Sequence, residues 1–135
     1  MKDWYEVKVT FKNEEDATQT VSYLMQATSF AEAEDRAVEC HNNVNGYIII
    51  SVDACAKRKF DGIFVDTADS AWFKVKAKIQ FCANEKTTER SRPYLVQSES
   101  MEHAINYIAT NVPNFVAVDM VQRSPIVAVS YLKEE

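Results

Sequence analysis

The chain has 135 residues, 47% of them hydrophobic and 11% aromatic, with a formal net charge of −5 at pH 7. That composition excludes a disordered chain, and the acidic balance excludes a general polyanion binder while leaving room for a local basic strip. Three widely spaced cysteines (Cys40, Cys55, Cys82) and two histidines offer no zinc-type ligand set, so neither a metal nor another cofactor is expected.

Residues 4–11 alternate, with Tyr5, Val7, Val9 and Phe11 on one side and Trp4, Glu6, Lys8 and Thr10 on the other. A period of two marks a half-buried strand. Asn13-Glu-Glu-Asp16 reads as a turn and residues 19–27 as the returning strand, so a hairpin is expected. Ser29-Phe-Ala-Glu32 has the form of a capping box, with the Glu carboxylate reaching back to the Ser29 N–H. The helix it opens runs to about His41, with Phe30, Ala33, Ala37 and Cys40 as its buried stripe. Asn42-Asn43 and Asn45-Gly46 break it. Tyr47 to Val52 is β-branched and apolar, a central strand that can run on to Lys59, and Phe60 to Val65 is a short further strand. Asp66 to Ser70 is a polar joint.

The second half repeats the plan. Residues 72–81 form a strand, 83–91 a long polar hairpin loop, and Arg92 to Gln97 the returning strand. Ser100 caps a helix with Met101, Ala104, Ile105, Ile108 and Val112 as its buried stripe, and Pro113 stops it. Strands from Phe115 to Val121 and Ile126 to Leu132 complete the chain, before a short tail, Lys133-Glu-Glu135.

The two halves align. Trp4, Val7, Lys8 and Phe11 fall on Trp72, Val75, Lys76 and Ile79; Tyr23-Leu-Met-Gln26 falls on Tyr94-Leu-Val-Gln97; Ser29 meets Ser100, and Val52-Asp53 meets Val118-Asp119. The expectation is an α+β fold of two tandem β-β-α-β-β repeats, about 1–66 and 67–135, forming one compact domain. Antiparallel strands would build one sheet or two, with both helices on one side and a pseudo-twofold relation between the copies. The first 66 residues hold 7 basic and 12 acidic residues and the remainder 8 of each, so the acidity belongs to the first half.

No phosphate loop, HExxH or GxSxG occurs, so an enzyme is not expected. Asp53 and Asp119 read as polar residues on outer strand faces, and Cys55 beside Lys57-Arg58-Lys59 as an incidental thiol, although positive neighbours can activate one. The two histidines stand near helix ends without a visible partner. The suggestive feature is the outer face of the strand at 72–80, where Trp72, Lys74, Lys76 and Lys78 recur at two-residue spacing, with Arg90 and Arg92 on the returning limb. Cations for phosphates beside an indole for bases is the pattern of single-stranded nucleic-acid binders. Trp4 and Lys8 are the first-half counterparts. The competing reading is a protein-binding or self-associating surface, with the lysines guarding a strand from aggregation.

Trp4-Tyr5-Glu6-Val7-Lys8, Tyr23 to Ser29, Trp72-Phe73-Lys74-Val75-Lys76, Tyr94 to Ser100 and Pro125-Ile126 together resemble an uncharacterised family. Its members are small proteins of Bacteroides-type gut bacteria, their phages and their mobile elements. The resemblance covers nearly the whole chain and rests on strand and helix signatures, so it implies no catalytic or binding residue. Its setting implies a nucleic-acid transaction or interference with a host system. With a strand starting at Trp4 and no apolar run of spanning length, a cytoplasmic protein without membrane contact is expected.

Overall fold

The computed structural model describes residues 2–44 and 49–132. In chain order the elements are β1 (Asp3–Lys12), β2 (Thr18–Ala27), α1 (Phe30–Val44), β3 (Ile49–Arg58), β4 (Gly62–Val65), β5 (Ala71–Ala83), β6 (Lys86–Ser98), α2 (Met101–Asn111), β7 (Phe115–Arg123) and β8 (Ile126–Ser130). The expected turn at Asn45-Gly46, the strand start at Tyr47 and the tail from Lys133 lie outside the described residues. Helix α1 runs on through Asn42-Asn43 to Val44 rather than ending near His41.

The strands form two four-stranded sheets, in the orders β3-β1-β2-β8 and β4-β6-β5-β7. In each, a long hairpin (β1–β2 or β5–β6) forms the centre, and a third strand (β3 or β7) pairs antiparallel with its first limb. The fourth strand pairs parallel with the second limb: β8 with β2, and β4 with β6. The expected all-antiparallel sheets are therefore mixed. Moreover, β4 lies in the sheet of β5–β7 and β8 in the sheet of β1–β3. The chain divides accordingly into Met1–Lys59 with Pro125–Glu135, and Phe60–Ser124, rather than at residues 66/67.

Side chains explain these placements where strand periodicity could not. Phe64 of β4 stacks on Tyr94 of β6, with ring centroids 6.0 Å apart, and lies 5.6 Å from Tyr107 of α2. The end of β8 is held by Arg36 of α1, whose guanidinium donates to the Gln26 carbonyl, the Ser130 hydroxyl (2.8 Å) and the Tyr131 carbonyl (3.0 Å). The Leu132 N–H donates to the Gln26 side-chain oxygen at 3.0 Å.

Within each unit the helix covers one sheet face, as the period-two pattern requires. In the first, Tyr5, Val7, Val9, Tyr23 and Met25 pack with Ala33 and Ala37 of α1. In the second, Phe73, Val75, Ala77, Ile79, Tyr94 and Val96 pack with Ala104 and Ile108 of α2. The outermost members of the expected helical stripes, Phe30 and Met101, are instead exposed at the first helical turn. Ser29 accepts from the Glu32 N–H at 3.1 Å, but the Glu32 carboxylate accepts from the Thr28 N–H and hydroxyl rather than from Ser29, so the box is shifted by one residue.

The expected loop at 83–91 is strand. Asn84 and Glu85 both take positive φ (50° and 64°), the signature of a two-residue hairpin turn, and pairing resumes at Ala83↔Lys86. Thr87 to Arg92 are exposed or half-buried, so no apolar alternation announced this limb.

Candidate nucleic-acid interface

The β5–β6 hairpin outreaches its neighbours. Pairing of β7 with β5 stops at Ile79↔Phe115, and β4 reaches β6 only from Tyr94. The Gln80 N–H still donates to the Asn114 carbonyl at 2.9 Å; from Phe81 to Thr88 the two limbs pair only with each other among the described residues, as a projecting ribbon whose residues are all exposed. Between residues 74 and 92 stand six basic and two acidic residues, leaving 9 basic and 18 acidic residues to the rest of the chain. The basic charge is concentrated on one hairpin of an acidic protein, although the projecting part itself holds only Lys86 of the six cations.

The register sorts these charges by face, because directly opposed residues point the same way. Lys74, Lys76 and Lys78 oppose Leu95, Pro93 and Ser91 on the helix-free face. Arg90 and Arg92 oppose Ile79 and Ala77, so they stand on the helix-side face and not with the lysines. The six-residue cluster expected from the sequence is thus divided between two sides of one hairpin.

The lysines differ in availability. Lys76 is exposed and Lys74 half-buried, and neither has a carboxylate within 4 Å among the described residues. Lys78 pairs with Asp119 at 3.6 Å. On the other side Arg90 and Lys86 are exposed and unpaired among the described residues, whereas Arg92 pairs with Asp61 at 3.5 Å and lies 5.3 Å over the Phe81 ring.

Trp72 is not a stacking platform in this conformation. It is 5% exposed, beside the buried Leu95 on the helix-free face, and its indole N–H has no acceptor among the described residues. Trp4, in the first sheet with Lys8, is half-buried and packs edge-on against Tyr131 with centroids 5.0 Å apart. The alternation that placed both tryptophans on a lysine face was right about the face but could not register that its strand-start end is covered. The exposed aromatic of the ribbon is Phe81, at 37%. Sequence reasoning passed over it because it falls in phase with the core residues Ile79 and Ala77.

The second basic cluster is largely neutralised. Lys57 pairs with Asp3 at 3.3 Å and Arg58 with Glu6 at 3.2 Å. The Cys55 thiol is pushed up from its ordinary value, chiefly by burial and then by Glu34, which is the opposite of activation. Cys40 is likewise pushed up, mainly by burial. Asp53 and Asp119 are each the additional residue of a β-bulge, between Val52 and Ala54 and between Val118 and Met120. Asp53 accepts from the Ser51 hydroxyl (2.6 Å) and from Thr10; Asp119 accepts from Ser91. Asp53 thereby ties its bulge to the adjacent β1, and Asp119 reaches across β5 to β6. The histidines have partners that the sequence did not reveal. His41 is buried against Phe11 and its Nδ1 lies 2.8 Å from the Tyr23 hydroxyl, while His103 Nδ1 lies 2.7 Å from the Ser100 hydroxyl.

Among the described residues no group of three or more His, Cys, Asp or Glu is placed to hold a metal ion, and no helix is long and apolar enough to cross a membrane. A family profile described as "Domain of unknown function (DUF4494)" matches residues 3–131. No curated protein matches the chain.

Proposed function

The chain belongs to the DUF4494 family, a domain of unknown function, and we propose that it is a non-enzymatic protein that contacts nucleic acid through the lysine face of β5. The observation that carries this reading is the charge segregation. Six cations against two carboxylates occupy residues 74–92 of a chain whose net charge is −5, and they stand on one hairpin, β5–β6, a local concentration of positive charge of the kind that attracts a polyanion. The resemblance to proteins of phages and mobile elements supports the same setting. Single-stranded nucleic acid was the sequence expectation; with Trp72 buried, the contact rests on phosphates rather than on indole stacking.

The test is fluorescence anisotropy of a labelled oligothymidine across a salt series. A single strand gives a salt slope of about −0.7 per phosphate neutralised, so four contacts give about −3. The variant Lys74→Glu/Lys76→Glu should bind at least about tenfold more weakly, with the slope reduced by about 1.4. Absence of binding at low salt, or an unchanged affinity in the variant, would refute the assignment. A second reading, a protein-interaction module, is favoured by Phe30 and Tyr131, exposed at 50% and 58% in the first unit. It is the reading to pursue, by sizing and pull-down, when no oligonucleotide binds.

We also read the two halves as copies of one unit in a pseudo-symmetric chain. Supporting this, the register irregularities fall at Lys8/Val9 and Thr10/Phe11 in β1 and at Lys76/Ala77 and Lys78/Ile79 in β5. These are the positions that the sequence alignment of Trp4 with Trp72 places opposite each other.

A further inference from the structure

We infer that the free edge of β6 takes up an extended acidic peptide as an added strand. β6 runs from Lys86 to Ser98, but β4 pairs with it only from Tyr94 to Gln97. The Asp61 N–H donates to the Pro93 carbonyl at 2.7 Å, so the backbone of Pro93 faces the β4 side. The β5–β6 register runs without a shift, and backbone direction alternates along an antiparallel strand. Thr87, Glu89 and Ser91 therefore direct their N–H and C=O groups to that same side, where they meet no backbone partner among the described residues. Such a row is a template for another strand. A peptide meets it with donors and acceptors in alternation, whereas a phosphate backbone offers acceptors alone.

The side chains set the charge of that peptide. Lys86, Thr88, Arg90 and Arg92 oppose Ala83, Phe81, Ile79 and Ala77, and so form a row on the helix-side face. Lys86 and Arg90 are exposed and lack a carboxylate partner among the described residues. At the inner end of the row the fold already supplies one: Asp61, whose N–H holds Pro93, sets its carboxylate 3.5 Å from Arg92. An added strand repeats that arrangement outward, with acids beside Arg90 and Lys86. These two stand four residues apart, about 13 Å at about 3.3 Å per residue, so acids at i and i+4 of an extended peptide reach both. A second copy of the edge is rejected. Twofold antiparallel pairing about Thr88 or Glu89 sets Lys86 opposite Arg90 or Arg92, and like charges directly opposed are destabilising.

The test is fluorescence anisotropy of the full chain with a labelled nine-residue peptide that carries Glu at its third and seventh positions and Thr or Val elsewhere. A companion peptide has Lys in place of Glu. Wild type is compared with Lys86→Glu/Arg90→Glu and with Glu89→Pro, and circular dichroism confirms folding of each. Glu89→Pro removes one outward N–H, as Pro93 does naturally, and also removes a carboxylate that repels the acidic peptide. The expected result is binding of the Glu peptide at least about tenfold tighter than the Lys peptide, lost by at least about tenfold on charge reversal. Glu89→Pro should weaken it about fivefold, and in wild type the amides of Thr87, Glu89 and Ser91 should gain exchange protection. Tighter binding by Glu89→Pro, or unprotected amides in wild type, would show charge attraction without strand addition and overturn the inference. Equal affinity for the two peptides, or binding of neither, would overturn it as well. None of these outcomes bears on Lys74 and Lys76, which lie on the other face.

Discussion

Replacing Arg36 with alanine isolates the anchor that holds β8 in the first sheet. The guanidinium makes three hydrogen bonds, to Gln26, Ser130 and Tyr131, and so ties α1, β2 and the end of β8 together. A hydrogen bond from a charged donor contributes about 1.5–3 kcal/mol. Arg36 is half-buried, and solvent screening lowers that contribution. A total near 2–3 kcal/mol results, a sizeable part of the roughly 7–20 kcal/mol that stabilises a chain of this length. Urea unfolding should report the loss, and thermal unfolding a drop of about 6–12 °C. Amide exchange supplies the more specific readout, because Ala128 and Val129 of β8 should lose protection before the β1–β2 hairpin does. Ser130→Ala removes one of the three bonds and should cost about 1 kcal/mol. A variant Arg36→Ala within about 0.5 kcal/mol of wild type, with β8 protection intact, would refute the argument that this side chain holds the strand.

Tyr23→Phe removes the hydroxyl that meets His41 Nδ1 at 2.8 Å in a buried site. The expected loss is about 1–2 kcal/mol by urea denaturation, and stability equal to wild type would contradict it. For Asp53, hydrogen bonds from Ser51 and then Thr10 hold the carboxyl below its ordinary 3.8. Its folded-state value is depressed, so its contribution is complete above that ordinary value and is lost as the pH falls through the lower folded one. Asp53→Asn should therefore flatten stability against pH below about 4 without altering the curve above pH 5. An identical acid limb in both proteins would show that the carboxylate does not hold the bulge.

Much of the architecture was legible because burial on one face writes a pattern. The alternation of Tyr5, Val7, Val9 and Phe11, the Ser29 and Ser100 caps and the stop at Pro113 each have a local physical cause. The sequence at 83–91 has the look of a loop because both faces of that part of the hairpin meet water, and a strand without a buried side has no alternation to show. Partner choice was equally silent. Four residues of β4 and five of β8 look the same whether they fold back on the preceding strand or cross to another sheet, and tertiary contacts such as Phe64 against Tyr94 and Arg36 against Ser130 decide it. For the candidate site, the spacing identified the lysines and their common face. It could not reveal that Arg90 and Arg92 stand opposite them, since that depends on the register set by the tight turn at Asn84-Glu85. Burial of Trp72 depends on what covers the end of the face, which a strand pattern does not encode.

The placement of the fourth strands bears on how the chain folds as it is made. The second unit, Phe60–Ser124, is one continuous stretch, so all four of its strands emerge from the ribosome in succession. The first unit waits. Its hairpin and α1 emerge early, but the free edge of β2 from Ser22 to Met25 gains its partner only when Ile126–Ser130 follows, nearly a whole chain later. Closure over so long a sequence separation is slow, and an unpaired strand edge is prone to mispairing in the meantime. The sheet begun first is therefore the one finished last, and the C-terminal strand is the step that retires its exposed edge.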